Sequence, residues 1–255
     1  MAKTIAFANR KGGCGKTTLA YNVVSYISKI NKRVLAIDFD SQAQMTLYAG
    51  LMPHTIEYGI YEMLMYFLNK GRRLQKCMKQ VRNMFIIPAN QNLASFDTAI
   101  VNFEHKEMIL RDLLMEIEAE YDYVIIDTPP SLGYSTINAL AASDFVVIPV
   151  KTDFLSLAGL AQMMKVFYKV NVTLNPLLQL LCVVPTMFDT RTRISHEVLE
   201  ELKDNFGPSM VSDPIRVDVK IAESASHGLS IFDYKPKSRG AQDIKGLVDF
   251  LLEKM

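Results

Sequence analysis

Residues 9–18, Asn9-Arg10-Lys11-Gly12-Gly13-Cys14-Gly15-Lys16-Thr17-Thr18, join a short β-prone run at 4–8 to a helical apolar pattern that starts at Leu19. Three glycines let the backbone turn tightly enough to aim several N–H groups at one point. A helix opening at Lys16 adds its free N–H groups and the positive end of its dipole. Lys16 then reaches β- and γ-phosphates, and the Thr17 hydroxyl suits Mg²⁺. A strand before the turn and a helix after it separate this from a chance glycine-rich turn carrying a lysine. The stretch is a candidate triphosphate site.

The common P-loop spacing G-x-x-x-x-G-K-[ST] is not met, because Arg10 stands where its first glycine belongs. The chain has K-G-G-x-G-K-T-T instead, with a second lysine, Lys11, ahead of the glycines. That deviant Walker A motif resembles the ParA/MinD family of dimerising ATPases. The resemblance implies ATP and Mg²⁺ as cofactors, bound by Lys11, Gly12, Gly13, Cys14, Gly15, Lys16, Thr17 and Thr18. It also implies a homodimer formed with ATP, in which Lys11 of each subunit reaches the other subunit's nucleotide. Lys11 and Lys16 are thus candidate catalytic cations.

Strand-like runs at 34–38, 85–88, 123–127, 145–149 and 180–185 alternate with helical stretches such as 106–120 and 155–174. Several runs are almost wholly apolar, as in parallel strands covered on both faces. The expected fold is α/β: one doubly wound, mostly parallel sheet flanked by helices, a P-loop NTPase with its ligand at the carboxyl ends of the strands. No linker or internal repeat divides the 255 residues, so a single domain over 1–255 is expected, without a separate N-terminal DNA-binding domain.

Formal net charge is only +1, so a polyanion site has to be a local patch. The cysteines Cys14, Cys77 and Cys182 are isolated and lack metal-ligand spacing, which fits a reducing cytosol. No apolar run approaches the ~20 residues of a membrane span. These features point to a cytoplasmic protein, and through the resemblance to a nucleoid-associated one.

Two further stretches supply carboxylates. Asp38 and Asp40 leave an apolar strand at alternate positions, which places both on one face. The resemblance gives Asp40 the water-polarising role and a place near the metal, and makes Asp38 secondary. The run Tyr123-Val124-Ile125-Ile126-Asp127 has the Walker B pattern that delivers Asp127 to a Mg²⁺ shell shared with Thr17. Pro129-Pro130 stiffens the loop that follows, a segment able to sense a γ-phosphate.

The last third resembles the chromosome- and plasmid-partition branch, ParA and Soj. Pro185-Thr186-Met187-Phe188-Asp189-Thr190-Arg191-Thr192-Arg193 matches the segment beside the adenine, with Thr186 and Met187 as contacts. The run from Pro214 through Arg216 to Lys220 matches the one after the next strand, where Pro214 and Arg216 are the candidate contacts. Ser226-His227-Gly228 and Ser238-Arg239-Gly240-Ala241 complete the pattern. The resemblance implies that Arg191 and Lys220, with Arg193 beside them, grip double-stranded DNA without sequence preference, and that a ParB-like protein stimulates hydrolysis. Composition does not show this, since basic and acidic residues nearly cancel between 186 and 240.

The stretch 70–82 holds six basic residues and no acid, either a charged helix face or a DNA or partner surface. Residues 58–68, rich in aromatics and Met, read as the buried side of a helix. A MinD-like membrane-associated ATPase is the nearest alternative, although 243–255 is short, mildly amphipathic and not strongly basic. A nitrogenase iron-protein-like carrier needs paired cysteines that the chain lacks. An ATP-gated scaffold without significant turnover stays open, and phosphate release separates it from a cycling enzyme.

Overall fold

The computed structural model describes residues 2–69 and 74–255. Among them one sheet comprises β1 (Lys3–Phe7), β2 (Val34–Asp38), β3 (Lys79–Val81), β4 (Met84–Ile87), β5 (Tyr123–Asp127), β6 (Phe145–Lys151) and β7 (Gln179–Thr186). The spatial order is β3-β4-β2-β5-β1-β6-β7. Every neighbouring pair runs parallel except β3 with β4. The expected doubly wound α/β sheet is therefore present, with β1, β5 and β2 at its centre.

The helices are α1 (Lys16–Lys29), α2 (Gln44–Tyr48), α3 (Ile60–Leu68), α4 (Phe96–Ala99), α5 (Ile109–Ile117), α6 (Tyr134–Ala141), α7 (Phe154–Thr173), α8 (Arg193–Phe206), α9 (Val219–Ser226), α10 (Ile231–Tyr234) and α11 (Arg239–Lys254). Strand alternation distributes the apolar side chains to two cores. Ile5, Phe7, Ala36 and Ile125 face Val24 and Ile27 of α1 and Ile244 and Val248 of α11. Ala6, Leu35, Ile37, Val124 and Ile126 face the other way, toward α3, α5, α6 and α7. Both faces of the central strands are covered, which is why these strands read as continuous apolar runs.

Two expectations need correction. Residues 70–73 of the basic stretch lie outside the described residues, but the remainder is no helix face. Leu74–Cys77 makes one 3₁₀ turn, and Lys79–Val81 forms an antiparallel edge hairpin with β4. Arg82 takes the turn of that hairpin at φ 52°. Its Nη1 donates to the Tyr21 hydroxyl (3.1 Å) and its Nη2 to the Gly228 carbonyl (3.0 Å), so it fastens the sheet edge to neighbouring elements. The helix expected over 106–120 is shorter, Ile109–Ile117, because His105 turns the chain at φ 53° just before it. Residues 58–68 do supply α3, which buries Ile60, Met63 and Leu64.

Candidate nucleotide-binding site

β1 ends at Phe7, and the chain crosses the carboxyl edge of the sheet through the loop 9–15. Asn9 anchors it: its Nδ2 donates to the Pro149 carbonyl (2.6 Å), and its Oδ1 accepts from the Lys11 N–H (3.2 Å). From β7, the Thr186 hydroxyl donates to the Cys14 carbonyl (2.8 Å). Gly13 and Gly15 sit at φ 69° and 93°, where a side chain would be strained. Gly15 is the N-cap of α1, so no side chain occupies the first N–H groups of the helix, and its first turn carries no acid. The helix start therefore presents free donors and a positive dipole end to whatever lies above it.

What lies above it is a cavity of about 750 Å³. Gly12, Gly13, Gly15, Lys16, Thr17 and Thr18 form one wall. Asp40, Pro130, Thr186, Met187, Ile215 and Arg216 also line it, Thr186 standing directly against the loop through its bond to Cys14. Tyr48 and Gln44 of α2, with Ile221 and Ala222 of α9, close the sides. Cys14 is fully buried, and burial pushes its thiol pKa up. It contributes backbone only, and neither it nor Pro214 lines the cavity. Met187 takes the left-handed conformation at φ 53°. Arg216 lines the space, but its guanidinium is engaged by Asp243 of α11 through Nε (3.0 Å) and Nη2 (2.5 Å).

Parallel register explains the carboxylates. Asp127 pairs with Phe7 on one side and Asp38 on the other, so two acids lie side by side beneath the cavity. Asp38 is satisfied: it accepts from the Thr46 N–H (2.8 Å) and hydroxyl (2.7 Å), and from the Asp40 N–H (3.3 Å). Burial raises its pKa to about 6, against those hydrogen bonds. Asp40 lies past the strand end, where alternation no longer dictates direction, and it alone of the pair opens on the cavity.

Asp127 is fully buried, and neither of its oxygens has a hydrogen-bond partner. Burial, reinforced by the Asp38 charge, lifts its pKa well above the usual carboxylate range, while the Thr17 side chain and the Lys16 ammonium pull the other way. An orphaned buried carboxylate is costly unless something completes it. A divalent cation between Asp127 and the Thr17 hydroxyl would do so, and hard oxygen donors are what Mg²⁺ takes. The residues present fit the metal.

Lys11 does not line the cavity of its own chain. Its ammonium lies 2.6 Å from Asp153 Oδ1 and 2.9 Å from the Ser156 hydroxyl, at the first turn of α7. Beside that pair Phe154 and Leu155 are 72% and 73% exposed.

The candidate DNA contacts lie outside the cavity lining, on the 189–193 segment and the first turn of α9. Phe188 and Val217 share a backbone hydrogen bond, which sets the Asp189–Arg193 loop against the start of α9 and hence Lys220. Each of these cations has an acid at hand: Arg191 with Asp189 (2.8 Å), Arg193 with Glu197 (2.5 Å), Lys220 with Glu223 (2.7 Å). Arg239 reaches the Val217 carbonyl (3.4 Å), and Lys235 and Lys237 are exposed nearby in sequence. The K-P-K-S-R run was the available signal for these three. Asp153, Ser156 and Asp243 had none beyond a helix-cap pattern at 153–156.

Residues 2–180 match the AAA domain family. The sporulation initiation inhibitor protein Soj of Bacillus subtilis is 38% identical over 242 residues, 95% of each chain. The chain belongs to the ParA/Soj family of partition ATPases. Among solved structures, this ParA/Soj chain resembles a plasmid partition protein from Borrelia burgdorferi bound to AMPPNP, with TM-score 0.84, 26% identity and full coverage of both chains (100% and 100%). It also resembles cobyrinic acid a,c-diamide synthase from Mycobacterium smegmatis with bound ATP analogue and magnesium, with TM-score 0.88, 28% identity, and coverage of 99% and 95%. The second likeness is to a protein named for a different chemistry, as befits a fold that does not by itself fix function.

Proposed function

We propose that the chain is one ParA-like ATPase domain that closes into a dimer around ATP and Mg²⁺, binds double-stranded DNA in that state, and is released when a ParB-like partner stimulates hydrolysis. The free N–H groups at the start of α1 and Lys16 hold the triphosphate. Thr17 and Asp127 hold Mg²⁺, with Asp40 close by, and the metal when bound supplies charge neutralisation along the phosphates. Asp40 orients the attacking water from the open end of the cavity. Thr186, Met187 and Arg216 frame the base side, Arg216 through its carbonyl since Asp243 holds both its N–H and its guanidinium, and Pro214, which does not line the cavity, acts from behind them.

The observation that carries the dimer is the position of Lys11. Its ammonium lies outside its own cavity, against the first turn of α7 and beside two exposed apolar side chains, which supports a role toward a second copy. An in-trans cation on a transferring phosphoryl group is worth ~10³–10⁵ in rate. Closure of two subunits doubles the surface bearing Arg191, Arg193 and Lys220, so ATP controls DNA affinity through avidity. In a cytoplasm, repeated cycles on a nucleoid would segregate DNA or position another cargo.

The test is analytical ultracentrifugation with AMPPNP, ADP and no nucleotide, followed by binding to random-sequence DNA under the same conditions. Dimer and DNA binding with AMPPNP alone are expected. A monomer with AMPPNP at high protein concentration sinks the scheme. Phosphate release with DNA and partner separates a cycling ATPase from an ATP-gated scaffold. A MinD-like membrane role is disfavoured because α11 buries Ile244, Leu247, Val248 and Leu251 in the core against α1. Among the described residues no helix is long and apolar enough to cross a membrane.

A further inference from the structure

We propose that Lys151 is a phosphate-contacting residue of the nucleotide cavity, held on Asp153 in the empty site and released to the nucleotide when it binds. This deepens the ATP-site reading above and rests on it.

Lys151 is the last residue of β6, in register with Thr186, whose hydroxyl is bonded to the Cys14 carbonyl of the phosphate loop. It therefore stands one strand away from the loop, and it lines the cavity together with Gly12 and Gly13. The ammonium lies 3.2 Å from Asp153 Oδ2, and the side chain is 43% exposed. Asp153 Oδ1 is taken by Lys11 at 2.6 Å. One carboxylate thus serves two ammonium groups, leaving a surplus positive charge at the cavity rim.

A triphosphate with one divalent cation keeps net negative charge, so the cavity needs further cations. Among the described residues three line it: Lys16, Lys151 and Arg216. Arg216 is neutralised by its two hydrogen bonds to Asp243. Lys16 is buried under the loop. Lys151 is the remaining mobile charge. It is also the more weakly held of the Asp153 pair, with one contact at 3.2 Å against the two shorter ones of Lys11. In the monomer its departure leaves Asp153 paired with Lys11, so no carboxylate is stranded there. A flexible four-carbon stem gives the reach for that exchange.

The experiment measures the Kd of ATP·Mg²⁺ by calorimetry at protein concentrations below association, for wild type and Lys151→Gln, Lys151→Glu and Lys151→Arg. Melting temperature serves as the control for folding. A charge-assisted contact predicts about a 10-fold weaker Kd for Gln, more for Glu, and recovery for Arg. An unchanged Kd in both Gln and Glu overturns the proposal. So does a loss that Arg fails to restore, because that marks a role in packing. Lys16→Ala provides the separate arm: if wild type binds no ATP, or binds it as well without Lys16, the ATP-site reading itself fails. If wild type depends on Lys16 but not on Lys151, only the present proposal fails.

Discussion

The Lys11 ammonium and the Asp153 carboxylate, 142 positions apart in sequence, meet at 2.6 Å across the start of α7. Burial would raise the Asp153 pKa, but the hydrogen bonds from Lys11, Ser156 and Lys151 outweigh it and bring it down to about 2. A carboxylate depressed in the folded state contributes stability that is present above its unfolded value, ~3.9, and is lost as pH falls toward 2. The pair is therefore intact at every physiological pH, and only a competing ligand for Lys11 dislodges it.

That competition is measurable. Asp153→Asn keeps an oxygen to accept from the Ser156 N–H, so the cap on α7 survives, but it removes the charge that holds Lys11. Half-exposed ion pairs are worth up to ~1 kcal/mol. One pair is broken per subunit, so association driven by a non-hydrolysable ATP analogue should then shift to protein concentrations lower by up to about 25-fold, with little change in melting temperature. Weaker association, with the fold intact, would mean that Asp153 helps the closed state and does not restrain it.

Asp127→Asn gives a split result. In the empty protein it replaces an unpartnered buried carboxylate by a neutral isostere, and stability should rise by ~1–3 kcal/mol. With nucleotide present, the thermal stabilisation that depends on Mg²⁺ should disappear. Differential scanning calorimetry with and without Mg²⁺ reads both effects. A variant that keeps the Mg²⁺-dependent shift would place the metal elsewhere.

The phosphate loop, both acid-bearing strands and the order of alternating elements were legible because each is a local pattern. β2 and β5 occupy the expected residues because an apolar run closed by Asp has little choice in a sheet covered on both faces. The edge hairpin was not legible: Lys79-Gln80-Val81 is short and polar, and its turn uses Arg82 where glycine or asparagine would signal one. The pairing of Asp38 with Asp127 is a matter of register between strands far apart in sequence, so spacing alone assigned Asp38 no partner. The hold on Lys11 from α7 is likewise a tertiary contact, invisible to any window on the sequence.

Asp97 couples the loop after β5 to a distant segment. Its carboxylate accepts from the Tyr134 and Ser135 N–H groups at 3.1 and 3.2 Å, capping α6 from outside the helix. A Cβ on Gly133 would clash with Asp97 Oδ2. Gly133→Ala must displace that cap, and Asp97→Ala removes it; each should cost ~1–2 kcal/mol. Hydrogen exchange should quicken at 131–135 in both variants while the α1 amides stay protected. Equal quickening throughout would show global loosening and no specific cap.

Arg191, Arg193 and Lys220 each carry an acidic neighbour in the free protein, so on the proposed DNA-binding reading phosphates would have to displace Asp189, Glu197 and Glu223. Each phosphate contact contributes a slope of about −0.9 to the dependence of log K on log salt. Arg191→Ala should weaken binding of the nucleotide-loaded protein to any duplex and reduce the slope by about 1. Asp189→Asn keeps an oxygen for the Arg191 N–H but frees the guanidinium, and should tighten binding most at low salt. The two variants must move in opposite directions, because one deletes the cation and the other its competitor. Movement in the same direction, measured by fluorescence anisotropy on random-sequence duplex across salt, would mean that the 189–193 loop acts through its shape, with Asp189 a strut of the loop and Arg191 no contact to DNA.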